Sequence, residues 1–410
     1  MTRIKTRYIY GERYKYKMIS GVLERLTVTA CGLTDIFAAQ AVFQLRKNRK
    51  LKQLFMQHNN VTVDGHRVLL KVLRKNKGLQ DLSINISEEP DVSELFDVLR
   101  EGHFSRLIIG WIDPPGHVFA EGHDLCKLSS AIVYLDHRSL EDATLFLDTL
   151  VSYRQINALT IDCTDSAIPD VVHKMIDTLA KVKYLRQLHL NLKGLAPNFV
   201  LDVIRALEVN KSVHMLFFAQ TTFDEKAIKA LGRMVENNKT LNMLSIDLEK
   251  SDGDRVYQMR GICARLKEAI LRNRYLVSLS VAVDTCNRAS DYRIKDALRR
   301  NMMLVHDAVQ FVNGSSEKSD GIAFERLRFS FSIKMVLLDQ FDVPENEAKV
   351  KIDRAKQRLI TDYFILTRIV KYAVVCKRTR RYKKYMLDCL KGDLMLRVCS
   401  YLSLTDILDV

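Results

Sequence analysis

A six-residue spacing, LxxLxL, returns along this chain at intervals close to 28 residues, and no other feature restricts the fold as strongly. "LERLTV" (23–28), "LKQLFM" (51–56) and "LQDLSI" (79–84) start 28 residues apart. The spacing recurs as "INALTI" (156–161), "LRQLHL" (185–190), "VHMLFF" (213–218), "LNMLSI" (241–246) and "LVSLSV" (276–281). Between the third copy and "INALTI" the rhythm blurs. There "FSRLII" (104–109) and "SSAIVYL" (129–135) are degenerate members, separated by the loop "DPPGHVFAEGH". The repeats therefore number about ten over residues 20 to 310, two of them weak.

The second half of each period has a different rhythm. "TDIFAAQAVFQLRKN", "IPDVVHKMIDTLAKV", "APNFVLDVIRALEVN" and "DEKAIKALGRMVENN" place apolar residues at the spacing of an amphipathic helix. Asp, Thr or Pro opens most of these stretches and Asn closes several, as capping chemistry requires. One strand and one helix cannot bury their apolar faces alone. Stacked, they give an α/β solenoid, a horseshoe with a parallel inner sheet and outer helices.

The segments "LERLTVTACGL" and "LKQLFMQHNNV" carry the full LxxLxLxx[N/C]xL signature, with Cys31 and Asn59 at the ladder position. On these residues the chain resembles leucine-rich repeat proteins. Its long period and helical outer side are similar to the ribonuclease-inhibitor class, also found in NLR-type sensors. Later repeats keep the leucines but carry Ser87, Thr164 and Lys193 where the asparagine belongs. The resemblance implies a protein-binding scaffold without cofactors, using its concave sheet. The chain lacks the GxxxxGK[ST] phosphate loop that a complete NLR sensor needs.

In LxxLxL the leucines point inward, so the residues flanking the second leucine face outward on the sheet. These are Gln53 and Phe55, Asp81 and Ser83, Gln187 and His189, Met215 and Phe217, Met243 and Ser245, and Ser278 and Ser280. Most are small or polar. Met215, Phe217 and Met243 are the exception and form the candidate contact patch, with Phe55 and His189 as further partner-binding candidates on the same face.

The net charge of +15 raises the question of nucleic acid. Residues 1–17 and 371–385 together carry +12 of it, which leaves the body of the chain nearly neutral. Basic ends suggest arms or a localisation signal, and argue against a nucleic-acid groove. The run "KRTRRYKK" in the second stretch reads as a solvated loop or a nuclear-import signal. The longest apolar runs are too short to span a bilayer, and the basic start has no apolar core of a secretory signal behind it. Eight singly spaced cysteines fit reduced thiols in the cytoplasm or nucleus. His123 and Cys126 of "GHDLC" lack a second ligand pair, and no GxSxG is present, so the sequence offers no catalytic residues, no metal site and no cofactor.

The domain reading is a basic N-terminal arm or cap at 1–20, the solenoid at 21–313, a polar linker "GSSEKSDG" at 314–321, and a small all-α domain at 322–410. The end of that domain, "LKGDLMLRVCSYLSLTDILDV", resembles the first half of an F-box. Leu390, Leu394, Leu396, Val398, Tyr401, Leu402, Ser403, Asp406 and Leu408 fall on matching positions, with Leu394, Leu396, Val398, Tyr401, Leu402 and Leu408 as the adaptor-binding candidates. This resemblance implies a substrate receptor that docks a cullin-ligase adaptor. Lys391 stands where the F-box has proline, and the segment follows the repeats instead of preceding them. A third use of such repeats is activation of a Ran-type GTPase, for which an acidic tail is typical; the tail here is basic.

Overall fold

A computed structural model of the chain describes residues 6–10, 24–29, 31–48, 50–56, 59–76, 78–86, 107–114, 116, 127–136, 138–249, 254–281, 288–341, 343–369 and 392–407. The chain divides into two compact units, Met1–Ala230 with Ile246–Gln258, and Leu231–Ser245 with Met259–Val410.

In the first unit every LxxLxL copy supplies a strand. These are β2 (Arg25–Thr29), β3 (Gln53–Met56), β4 (Asp81–Ile86), β5 (Leu107–Ile112), β6 (Lys127–Tyr134), β7 (Ala158–Asp162), β8 (Gln187–Asn191) and β9 (Met215–Thr221). Each pairs in parallel with the next. The register places leucine beside leucine, as in Leu26↔Leu54, Leu54↔Leu82, Leu159↔Leu188 and Leu188↔Leu216. These leucines are buried, each contributing about 1.5–3 kcal/mol by leaving water. Helices α1 (Asp35–Lys47), α2 (Val63–Lys75), α3 (Leu140–Ser152), α4 (Pro169–Lys181), α5 (Pro197–Val209) and α6 (Glu225–Asn237) alternate with the strands. The α/β repeat solenoid expected from the sequence is therefore present.

Two features depart from the regular pattern. The weak copies form full strands, but the β5–β6 register shifts between Ile109 and Gly110. Arg138 is buried beside them, bonded to Asp113, to Asp142 and to the Pro114 carbonyl, so its charge is paired. The expected N-terminal arm also contributes β1 (Thr6–Tyr10), which pairs in parallel with β2. The rest of that basic stretch lies outside the described residues, as does the run "KRTRRYKK".

Asparagines at the helix ends join successive periods. Asn210 follows α5; its Nδ2 donates to the carbonyls of Leu179 (2.8 Å) and Val182 (3.0 Å), at the end of α4. Its Oδ1 accepts from the Ser212 and Val213 amides, which turns the chain into β9. Asn76 repeats the arrangement one helix after α1, and Asn273 repeats it in the second unit. One side chain thus satisfies two orphan carbonyls and two amides. The sequence signal is N-x-x-L, as in "NRKL" at 48, "NKGL" at 76 and "NRYL" at 273. On the opposite side of the period, Asn59 occupies the expected ladder position, donating to Val28 O and accepting from Cys31 N. Where Thr164 replaces that asparagine, Asp136 accepts from its amide and hydroxyl instead.

The second unit contains β11 (Ser278–Val281) and the helices α8 (Arg288–Val312), α9 (Lys318–Leu327), α10 (Phe331–Asp339), α11 (Glu345–Thr361), α12 (Tyr363–Leu366) and α13 (Gly392–Cys399), then a 3-10 turn at Leu404–Asp406. Helix α6, strand β10 (Met243–Leu248) and helix α7 (Asp254–Arg272) have residues in both units. The helical core joins Val305, Val309 and Phe311 of α8 to Phe324, Leu337, Leu359, Tyr363, Cys399 and Leu404. The stretch expected as a linker is half helix, because α9 starts at Lys318. A Cβ on Gly321 would come within 2.7 Å of the Leu404 side chain, so packing holds this stretch in place. Arg358 donates to Phe311 O and Ser315 O at the end of α8 and covers the Phe311 ring at 4.6 Å.

Candidate functional site

Burial alternates along the strands as the LxxLxL reading requires: half-buried, buried, half-buried, buried in β3, β7, β8, β9 and the start of β10. The outward set is therefore correctly phased, with one exception. Ser83 is fully buried although it belongs to that set.

In β8 and β9 the outward residues meet in pairs, Gln187↔Met215 and His189↔Phe217. The His189 ring stacks flat on the Phe217 ring, with centroids 4.0 Å apart and planes 5° from parallel. Gln187 Nε2 lies 2.7 Å from His189 Nε2, which makes the ring nitrogen the acceptor and leaves the other nitrogen to carry the proton. Burial lowers the His189 pKa, so the imidazole is neutral at physiological pH. The result is a patch of thioether, benzyl and uncharged imidazole, with Asn191 hydrogen-bonded to Asp162 beside it at 2.9 Å. Such a surface binds by shape and dispersion. The polar partner of His189 here is an amide, not an acid or a nucleophile.

The other sheet-face candidates lie elsewhere. Phe55 belongs to β3, far from β8 in the strand order, where the Arg25 guanidinium lies 4.9 Å from its ring. Gln53 beside it donates to Asp81 at 2.8 Å, so that end of the face is polar. Met243 is half-buried in the second unit. The sequence did not single out Gln187 as the residue that sets the His189 tautomer. A polar residue two positions before a histidine on one strand face is the signal that was available.

The C-terminal candidates form a second, two-sided element. Leu394 (49%), Leu396 (40%), Val398 (36%), Tyr401 (78%) and Leu402 (38%) are exposed, whereas Cys399 and Leu404 are buried. Leu408 lies outside the described residues. The Ser-x-x-Asp cap is present: the Ser403 hydroxyl accepts from Thr405 N, and Asp406 accepts from Ser403 N at 2.7 Å. Three distant side chains hold the turn. Glu325 accepts from Ser403 Oγ and Leu404 N, Lys318 Nζ donates to Ile407 O at 2.7 Å, and the Tyr363 hydroxyl donates to Ser403 O. Sequence reading missed all three, since nothing local marks contacts that span 40 to 89 residues.

Among the described residues no helix is long and apolar enough to cross a membrane, and no group of three His, Cys, Asp or Glu could hold a metal. His123 and Cys126 fall outside those residues.

No protein-family model and no curated protein matches the sequence. Among solved structures the chain is similar to the actin-binding site 2 of leiomodin-1, with 15% identity, 46% of this chain and 88% of that one covered, and a TM-score of 0.28. It is also similar to the tropomodulin C-terminal domain of Caenorhabditis elegans, with 14% identity, 47% and 95% covered, and a TM-score of 0.27.

Proposed function

We propose that this chain is a non-enzymatic leucine-rich repeat scaffold of the ribonuclease-inhibitor-like class, which captures a protein ligand on its sheet face. The observation that carries the reading is the half-buried Met215–Phe217–His189 cluster, an apolar patch on the side of the strands opposite the leucine core. Its work is in the cytoplasm or nucleus, where the free Cys31, Cys163, Cys263 and Cys399 stay reduced. The test is the double variant Met215→Glu with Phe217→Glu. Ligand capture is lost while the melting temperature holds within a few degrees; unfolding instead would place these side chains in the core.

A second reading has its own support. The exposed face Leu394, Leu396, Val398, Tyr401 and Leu402 suits an F-box-like contact with a cullin-ligase adaptor, the sheet face then holding the substrate. Leu396→Glu with Tyr401→Glu changes only exposed residues and leaves the Leu404 anchor in place. Loss of a cullin adaptor from the purified complex supports this reading. An adaptor-free complex, identical for wild type and variant, removes it.

A further inference from the structure

The second unit contains an open cavity of about 480 Å³ whose wall carries four guanidinium groups, Arg274, Arg299, Arg300 and Arg326. Their local partners differ. Arg299 is paired with Asp296 at 2.7 Å. Arg300 donates to the carbonyls of Ile270 and Asn273 and to the Asn301 side-chain oxygen, all neutral acceptors, so its charge has no counter-ion in those bonds. Arg274 Nη1 is buried with no hydrogen-bond partner among the described residues. Arg326 reaches the cavity from α9 and is exposed.

Among the described residues the acids of the wall are Asp296, already paired, and Asp307. With four cations and two anions, the described residues of the wall carry a net charge of +2. Met303 and Leu304 add an apolar side. Guanidinium forks match tetrahedral oxyanions in geometry, and a buried donor without an acceptor is what a bound oxyanion would satisfy. A phosphate monoester carries about −1.5 to −2 at neutral pH, which matches the cavity, whereas a carboxylate leaves part of the charge unopposed.

We propose that this cavity binds a phosphate monoester carried on an apolar or aromatic group. The phosphate sits among Arg274, Arg299 and Arg326, and the apolar group lies against Met303 and Leu304. Arg300 is spent on the end of α7 and contributes its charge only. This site is distinct from the sheet face, because none of its lining residues belongs to a strand.

The experiment is isothermal titration of the full chain with phenyl phosphate, inorganic phosphate and phenol. Phenyl phosphate binds at one saturable site, inorganic phosphate binds more weakly, and phenol does not bind. Arg326→Gln and Arg274→Gln each weaken phenyl phosphate about tenfold, the loss expected for one charge-assisted contact. Asp307→Asn strengthens it severalfold by removing a like charge, and raised salt weakens it. A phosphotyrosine peptide that binds at least tenfold tighter than phenyl phosphate makes a phosphorylated chain the source; equal affinity makes it a small molecule. Thermal melts establish that each variant is folded, and Arg326→Gln alone suffices if Arg274→Gln is not. The proposal is overturned if phenyl phosphate shows no saturation by ~10 mM, or if the folded arginine variants bind it as wild type does.

Discussion

The solenoid and the helical unit are held together by opposite strategies. In the solenoid one local device is copied: inward leucines in register, and an asparagine that ties each helix end to the one before it. Among the C-terminal helices the fastenings are individual and span long stretches of sequence, as in Glu325 to Leu404, Lys318 to Ile407 and Arg358 to Phe311. Repetition spreads stability over many equivalent positions, whereas single fastenings concentrate it in a few. The difference also assigns functional freedom. The outward face of a repeat can vary without cost to the core, while the C-terminal turn can offer a surface only on the side its anchors leave open.

Core truncation tests this contrast most severely. Phe324→Ala empties the centre of the helical core and should cost about 3–5 kcal/mol, read by denaturant unfolding with hydrogen exchange localised to the second unit. Leu188→Ala should cost about 2–4 kcal/mol in the first unit. Equal, uniform losses of protection for both variants would contradict the contrast.

Acid probes the solenoid at a buried histidine. Burial lowers His66 to about 4, with Asp35 opposing, while the unfolded chain keeps the ordinary value near 6.5. Between those values the unfolded state binds more protons. The His66 contribution is therefore fully present above pH 6.5 and is lost as pH falls toward 4, by about 3 kcal/mol. His66→Gln should flatten the stability profile over that window, and an unchanged slope would show that other groups cause it.

A smaller loss is expected at the ladder. Asn210→Ala strands two buried carbonyls and two amides and should cost about 2 kcal/mol by chemical denaturation. The smallest belongs to the C-terminal anchor. Glu325→Gln keeps the shape but weakens the bonds to Ser403 and Leu404, for about 1 kcal/mol and faster amide exchange at 403–407.

The same contrast decides what could be read in advance. Strand positions, the phase of the outward residues and the helix faces all repeat, so each copy corrects the others; even the blurred segments at 104–135 supplied β5 and β6. The strand Thr6–Tyr10 had no leucine spacing to announce it. Alternation puts Ser83 on the open face, yet it is buried, since period alone does not report what covers a strand. The start of α9 at Lys318 was obscured because "GSSEKSDG" has linker composition; only the close approach of Leu404 to Gly321 explains its order. In the candidate site, Met215, Phe217 and His189 were legible from alternation. The ring stack and the Gln187 contact depend on rotamers, which sequence does not encode locally.

The most direct measurement is site-specific photocrosslinking in the cells that make the protein, with benzoylphenylalanine at position 217 and, as a control, at the exposed helical Leu145. A scaffold that works through its sheet face gives a discrete protein adduct at 217 that disappears with Met215→Glu and is missing at 145. No adduct at 217, or the same adducts at both positions, would contradict the account.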